Sequence, residues 1–294
     1  MFFVKPNGTR IHSGFNKVFE SLKPQLEDFF VGYNPTCVHI IGHSLGGAIG
    51  TLVAEWIKAT NKAATVKLYT FGCPRVGLSR YAERFTNLVK EENIYRVYNP
   101  TDIIPMVPTY PYVHVPLPGT ESYASNFSTI YTPVSFRAHF MGNYIKGVEG
   151  KRWESLKKPQ DRNYFKEQAE NLLVTAQIYA NLSVNGINLM FGLIGAILNK
   201  ILQATGAVFD AAAYGANTVL DMMAMYLEKG ARAVKEVPGY LAVLMRNILK
   251  ALGIIANIPK DITAAFIRWV FQRLSATLNF MAKMALRGTW AKGG

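Results

Sequence analysis

Short apolar runs alternate with helix-period stretches through the first half of the chain. Apolar positions around Pro6-Asn7-Gly8 predict a hairpin, and the stretch from about Phe15 to Phe30 repeats with helical spacing. Val38-His39-Ile40-Ile41 reads as a buried strand, and it runs through a Gly-rich turn into a helical pattern over roughly 45–59. A strand at 65–70, a helix near 80–90 and a strand at 94–98 follow. From 99 to 135 the chain is rich in Pro, Tyr and Thr and reads as loop, and a helix is expected to start close to His139. Strands alternating with helices predict an α/β class for residues 1–150.

The pattern then changes. Residues 151–170 are polar and basic and read as a linker, and 171–294 read as an all-α, apolar region. No charged residue occurs between Asn171 and Asn199, and the most apolar window, 182–198, is near the lower length limit for a membrane span. The next stretch, 201–227, carries Asp210 and Asp221, which lipid would not readily accept. Leu241, Leu244, Met245, Ile248, Leu249, Leu252 and Ile255 share one helical face. A second helix repeats this with Phe266, Ile267, Val270, Phe271, Leu274, Leu278, Met281 and Ala285, and its polar face carries Arg268, Arg273, Lys283 and Arg287. Two readings stay open: a helical domain that packs its own apolar faces, or a module that lies on or in a membrane.

Composition narrows the function classes. The 294 residues are half hydrophobic and carry a net charge of +13, which favours anionic partners. Two cysteines, Cys37 and Cys73, make neither a disulfide framework nor a metal cluster. The opening MFFVKPNGTR has too short an apolar run for a signal peptide, so an intracellular or membrane-associated location is expected. The basic residues lack an accompanying pattern of base-stacking aromatics, so no nucleic-acid partner is expected.

The chemistry centres on Gly42-His43-Ser44-Leu45-Gly46. A serine hydroxyl needs a base within hydrogen-bond reach, and the base needs a partner that fixes its tautomer. A sharp strand-to-helix turn exposes such a serine, with Gly42 and Gly46 leaving room for the turn and for close helix–strand packing. The Leu45 N–H, opening the next helix, suits one half of an oxyanion hole. The alternative is a structural Gly-rich corner. Asp102, just after the strand at 94–98, fits the acid of a triad, though Pro-Thr-Asp is also good turn chemistry. Glu121 fits that role less well. His114 and His139 are both open as the base; His12 and His39 read as structural, and the His43 side chain is expected to point away from the nucleophile.

GHSLGGAIGTLVA, YTFGCPRVG, YRVYNPTDIIPMVP and AHFMGNYI together resemble the class 3 lipase family, α/β-hydrolases that include the fungal triacylglycerol lipases. IHSGFNKVFESLKPQL resembles the stretch before the elbow in that family, so the resemblance covers roughly residues 8–146. It implies an α/β-hydrolase-like sheet with flanking helices. It also implies Ser44 as nucleophile, Asp102 as acid and His139 as base, with Cys73 a packed turn residue. No metal or cofactor is implied, and the expected substrate is a lipid or other acyl ester, met at a membrane through 171–294.

The family carries a further segment before the region that opens this chain: a strand ending in a Phe-Arg-Gly-like loop that supplies the second oxyanion donor. An upstream sequence, a second chain or the helical tail would fill that place, or a degenerate hydrolase would lack it. A missing central strand would leave an exposed sheet edge.

Overall fold

The computed structural model describes residues 2–99, 101–108, 111–116, 121–124, 136–159, parts of 190–205, and 219–290. The chain divides into two compact units. One comprises Met1–Ser128, Val134–Gln160 and Met281–Gly294; the other comprises Thr129–Pro133 and Asp161–Phe280.

In the first unit, β1 (Phe2–Val4) and β2 (Arg10–His12) form the expected hairpin. Lys5 in its turn meets Glu55 at 2.7 Å. Helix α1 (Ser13–Phe29) follows, its period placing Phe19 in the core and Phe15 and Leu26 against it. The alternation β3 (Cys37–His43), α2 (Leu45–Ala59), β4 (Thr65–Phe71), α3 (Ser79–Val89) and β5 (Ile94–Tyr98) follows the sequence pattern closely. Two further strands, β6 (Glu121–Ala124) and β7 (Lys157–Pro159), flank α4 (Met141–Val148) and α5 (Trp153–Leu156) in the chain.

The sheet order is β3-β4-β5-β6-β7. β3 to β6 run parallel, and β7 returns antiparallel. This is a mostly parallel sheet with flanking helices, the arrangement that the resemblance implies. One sheet face, with Val66, Leu68 and Ile94, closes a core with Ala48, Leu52, Ile57, Tyr81 and Phe85 of the helices. β7 is a departure from the expected linker at 151–170: its backbone pairs with β6 although its sequence, KKP, has no strand pattern. Residues 160–170 of that expected linker lie outside the described residues.

β3 has one neighbour among the described residues. Thr65 N–H donates to Thr36 O at 3.0 Å and Ser44 N–H to Phe71 O at 2.9 Å, so the even-numbered residues of β3 face β4. Cys37, His39, Ile41 and His43 therefore turn their main-chain groups outward, and the Ile41 side chain is 72% exposed. Among the described residues, the strand that leads into the Ser44 turn, expected to be buried, is thus an open edge.

In the second unit, α6 (Val219–Ala233) packs on α7 (Val237–Ala251). Leu241, Leu244, Met245, Ile248 and Leu249 are buried, as the periodicity predicts. The face ends sooner than the pattern does. Gly253 adopts φ +69°, the left-handed conformation that stops a helix, and leaves Ile255 fully exposed. Residues 264–280 of the last helix, α8 (Ala264–Trp290), also belong to this unit, and there Ile267, Val270, Phe271, Leu274 and Leu278 are buried. Asp221, one of the two aspartates that mark 201–227 as unsuited to lipid, forms an ion pair with Arg268 at 2.6 Å, and Asp210 lies outside the described residues. Among the described residues no helix is long and apolar enough to cross a membrane. Most of the uncharged window at 171–199 lies outside them.

Candidate active site

The strand–turn–helix around Ser44 is tight because its glycines let two backbones meet. A Cβ on Gly42 would lie 2.4 Å from the carbonyl oxygen of Gly46 and 2.7 Å from the amide nitrogen of Gly47. A Cβ on Gly47 would lie 2.9 Å from Cys73 Cβ. Gly46, expected to share this role with Gly42, does not: a Cβ there meets nothing within 4 Å. The close packing falls on Gly42 and Gly47. Ser44 itself adopts φ +58° and ψ −129° at the N-cap of α2, a backbone that side chains rarely accept. This strained turn aims Oγ off the carboxyl end of β3. The N–H groups of Leu45 and Gly46 follow at the first turn of α2, where helix geometry leaves them no intrahelical partner.

Three polar side chains far apart in sequence meet at this turn. Ser44 Oγ lies 2.8 Å from His139 Nε2, and His139 Nδ1 lies 2.8 Å from Asp102 Oδ2. A carboxylate only accepts, so Nδ1 carries the proton and Nε2 is the free acceptor for the serine hydroxyl. Asp102 and His139 are fully buried, and Ser44 is 8% exposed. Asp102 sits in the loop after β5, where its Oδ1 accepts the Ile104 N–H at 2.9 Å. Asn99 shapes the approach, its side chain accepting the Thr101 N–H at 3.1 Å. His139 closes a short 3-10 turn, Phe136–His139, just before α4.

Other residues assemble around this line. The Tyr144 hydroxyl of α4 donates to Asp102 Oδ2 at 2.6 Å and accepts the Asn99 N–H at 3.0 Å. Burial, and then the adjacent Asp102 carboxylate, hold its pKa well above the ordinary phenol value, so it stays a donor. Gly72, at φ +58°, passes so close that a Cβ would lie 2.7 Å from Asp102 Oδ2. The His43 side chain is not idle. Its ring stacks on that of His139 at 4.6 Å between centroids, and its Nε2 lies 2.8 Å from the His139 carbonyl oxygen. Sequence reasoning missed Tyr144, Asn99 and Gly72 as parts of the site. A polar residue on the inward face of the short helix after His139 was the available signal for Tyr144.

The remaining candidates lie apart from this line. The His114 Nε2–H donates to the Pro105 carbonyl at 2.8 Å, so of the two candidate bases His139 is the one brought to Ser44. Arg75 donates to the carbonyls of Met106 and Pro108, fastening the loop that follows Asp102. Burial pushes the Cys73 thiol up to about 12 and rules out a thiolate there. The side chain of Glu121 lies outside the described residues. Among the described residues no cluster of His, Cys, Asp or Glu could hold a metal ion.

The parallel sheet thus ends in a strained serine turn, with a histidine and an aspartate in line behind it. Residues 1–112 match the family described as Lipase (class 3). The chain is 34% identical over 102 residues to Toxin TseL of Vibrio cholerae, covering 35% of this chain and 15% of that protein. It is 32% identical over 130 residues to the secreted mono- and diacylglycerol lipase MDL3 of Malassezia globosa, covering 43% and 40%. It is 27% identical over 165 residues to phospholipase A1-II 1 of Oryza sativa, covering 48% and 40%. Among solved structures, the triacylglyceride lipase of Rhizomucor miehei aligns at 28% identity over 42% of this chain and 49% of that one, with a TM-score of 0.36. The chain spans less than half the length of each of these relatives.

Proposed function

We propose that this protein is a serine carboxylic-ester hydrolase that cleaves acyl esters of lipids through an acyl-serine intermediate. The observation that carries the reading is the continuous hydrogen-bonded line from Ser44 Oγ through His139 to Asp102, at 2.8 Å in each step. As Ser44 Oγ attacks the ester carbonyl, His139 Nε2 takes its proton, and Asp102 stabilises the imidazolium that forms. The Leu45 N–H stabilises the oxyanion. His139 then gives the proton to the leaving alcohol, and water, activated by the same nitrogen, releases the fatty acid and frees Ser44. A lipid ester fits the class 3 lipase match and the lipases and phospholipase among its relatives.

The basic, apolar residues 171–294 hold the enzyme at an anionic membrane in this reading, where its substrate is concentrated. The test is fatty-acid release from anionic liposomes by wild type and by Ser44→Ala, with vesicle flotation of both. Release by wild type alone, with both proteins floating, is expected. Equal release removes Ser44 from the mechanism, and failure to float removes the membrane role.

A second reading has its own observation. Among the described residues β3 is an open edge, and the start of α2 brings the Leu45 and Gly46 N–H groups to the turn. It makes the first unit a catalytically impaired scaffold on a membrane-associated or membrane-disrupting protein. Vesicle leakage that is identical in wild type and Ser44→Ala, without ester turnover, is its signature.

A further inference from the structure

We propose that His43 is a positioning residue for His139: it fastens the main chain and the ring plane of the base to the residue that precedes the nucleophile. The proposal deepens the ester-hydrolase reading, and rests on it for the effect on turnover but not for the geometry.

His139 is carried by a 3-10 turn, not by a strand or long helix, so its ring needs outside support. Asp102 supplies it at Nδ1, and Tyr144 steadies Asp102. Neither contact fixes the backbone of residue 139. The 2.8 Å contact from His43 Nε2 to the His139 carbonyl does so, across a sequence separation of 96 residues. A carbonyl only accepts, so Nε2 of His43 carries a proton and Nδ1 is bare in the neutral ring. The stacked ring, 29° from parallel, holds the plane of the His139 imidazole from one side. The edge of Tyr144, 5.8 Å away, backs His43 in turn.

Position in the chain gives this contact its consequence. His43 is the last residue of β3 and Ser44 the next. The same short backbone therefore sets both the nucleophile and the carbonyl of its base, and their separation becomes a local property of the turn. Burial, and then the neighbouring His139 ring, hold the pKa of His43 below the ordinary imidazole value, while its bond to the His139 carbonyl and then Asp102 act the other way. A neutral ring beside His139 is what an imidazolium formed during turnover requires, since a second charge there would oppose it.

Two substitutions separate the contributions. His43→Phe keeps a ring and loses the donor; His43→Gln loses the ring and keeps an N–H near the position of Nε2. The 15N shifts of the His139 ring report its tautomer, and hydrolysis of p-nitrophenyl butyrate reports kcat and KM. In wild type His139 is expected in a single Nδ1-protonated form. In His43→Phe its shifts move toward the average of the two tautomers, and kcat falls about tenfold to a hundredfold with KM unchanged. In His43→Gln both return most of the way. The ring shifts decide: if His43→Phe leaves them as in wild type, the proposal is overturned whatever kcat does. If wild type does not hydrolyse the ester, the ester-hydrolase reading fails, and the shifts still decide this one. Should His43→Phe not fold, His43→Ala takes its place under the same criterion.

Discussion

The Tyr144 hydroxyl donates to Asp102 Oδ2 at 2.6 Å, the same oxygen that accepts the His139 Nδ1–H. One carboxylate oxygen thus carries two buried donors, while Oδ1 is taken by the Ile104 N–H. Tyr144→Phe removes one donor and leaves the buried Asn99 N–H without its acceptor. An unsatisfied buried group of this kind costs about 1–3 kcal/mol. The variant is expected to unfold at lower denaturant concentration and to lose roughly tenfold in kcat on a soluble ester, as a less firmly held Asp102 orients His139 less well. Wild-type kcat and wild-type stability together would remove Tyr144 from the site.

Gly72 is pressed against the same carboxylate. Its φ of +58° already excludes most side chains, and a Cβ there would meet Asp102 Oδ2 at 2.7 Å, the Tyr144 hydroxyl at 2.9 Å and His139 Nδ1 at 3.2 Å. Gly72→Ala combines left-handed strain of about 1–2 kcal/mol with a displaced acid. Ester turnover is expected to fall about a hundredfold or more while circular dichroism still shows a folded protein. Labelling of Ser44 by a fluorophosphonate is the direct measurement; labelling at the wild-type rate would show that the carboxylate had not moved.

The glycines of the Ser44 turn are not equivalent. Gly42→Ala drives a methyl group into backbone of α2, at 2.4 Å from the Gly46 oxygen, and backbone cannot step aside cheaply. Loss of the folded state is expected. Gly46→Ala meets nothing within 4 Å and sits in a helix, where alanine is favoured over glycine by about 1 kcal/mol. It is expected to raise the melting temperature slightly. Thermal unfolding of the two proteins side by side checks the contrast, and a Gly46→Ala protein as damaged as Gly42→Ala would contradict it.

Much of this architecture is legible in the chain because side-chain periodicity reports burial. β3, β4, β5 and the helices between them fall where the apolar pattern puts them, since each has one face against a common core. Ser44 and Asp102 could be picked from strand ends, because a parallel sheet delivers its loops to one edge. The choice between His114 and His139 could not be made from the residues alone. Both lie in irregular chain, and only the closing of α4 onto the sheet brings one of them to Ser44. The roles of Tyr144 and His43 were hidden for the same reason: they are long-range pairings, and sequence spacing carries no trace of them. β7 was hidden for another reason, since strand pairing uses main-chain groups that Lys157 and Lys158 possess as fully as valine does. The apolar period continues to Ile255, but Gly253, whose positive φ ends the helix, takes Ile255 off that face.

His114 makes stability depend on pH. Burial, and then the guanidinium groups of Arg96 and Arg75, hold its pKa well below the ordinary imidazole value of 6.5, while its bond to the Pro105 carbonyl acts the other way. The folded protein therefore keeps His114 neutral at pH values where the unfolded chain binds a proton. In that window the unfolded state holds more protons, so stability rises with pH and falls as pH drops below about 6.5. The loss continues until the folded-state pKa is reached, at no more than about 1.4 kcal/mol per pH unit for a single histidine. His114→Gln retains an amide that can donate to the Pro105 carbonyl and removes the titration. Melting temperatures measured from pH 7.5 down to pH 5 are expected to fall more steeply for wild type than for His114→Gln, the two curves converging above pH 7. Parallel curves across the whole range would show that His114 is protonated alike in the folded and unfolded protein.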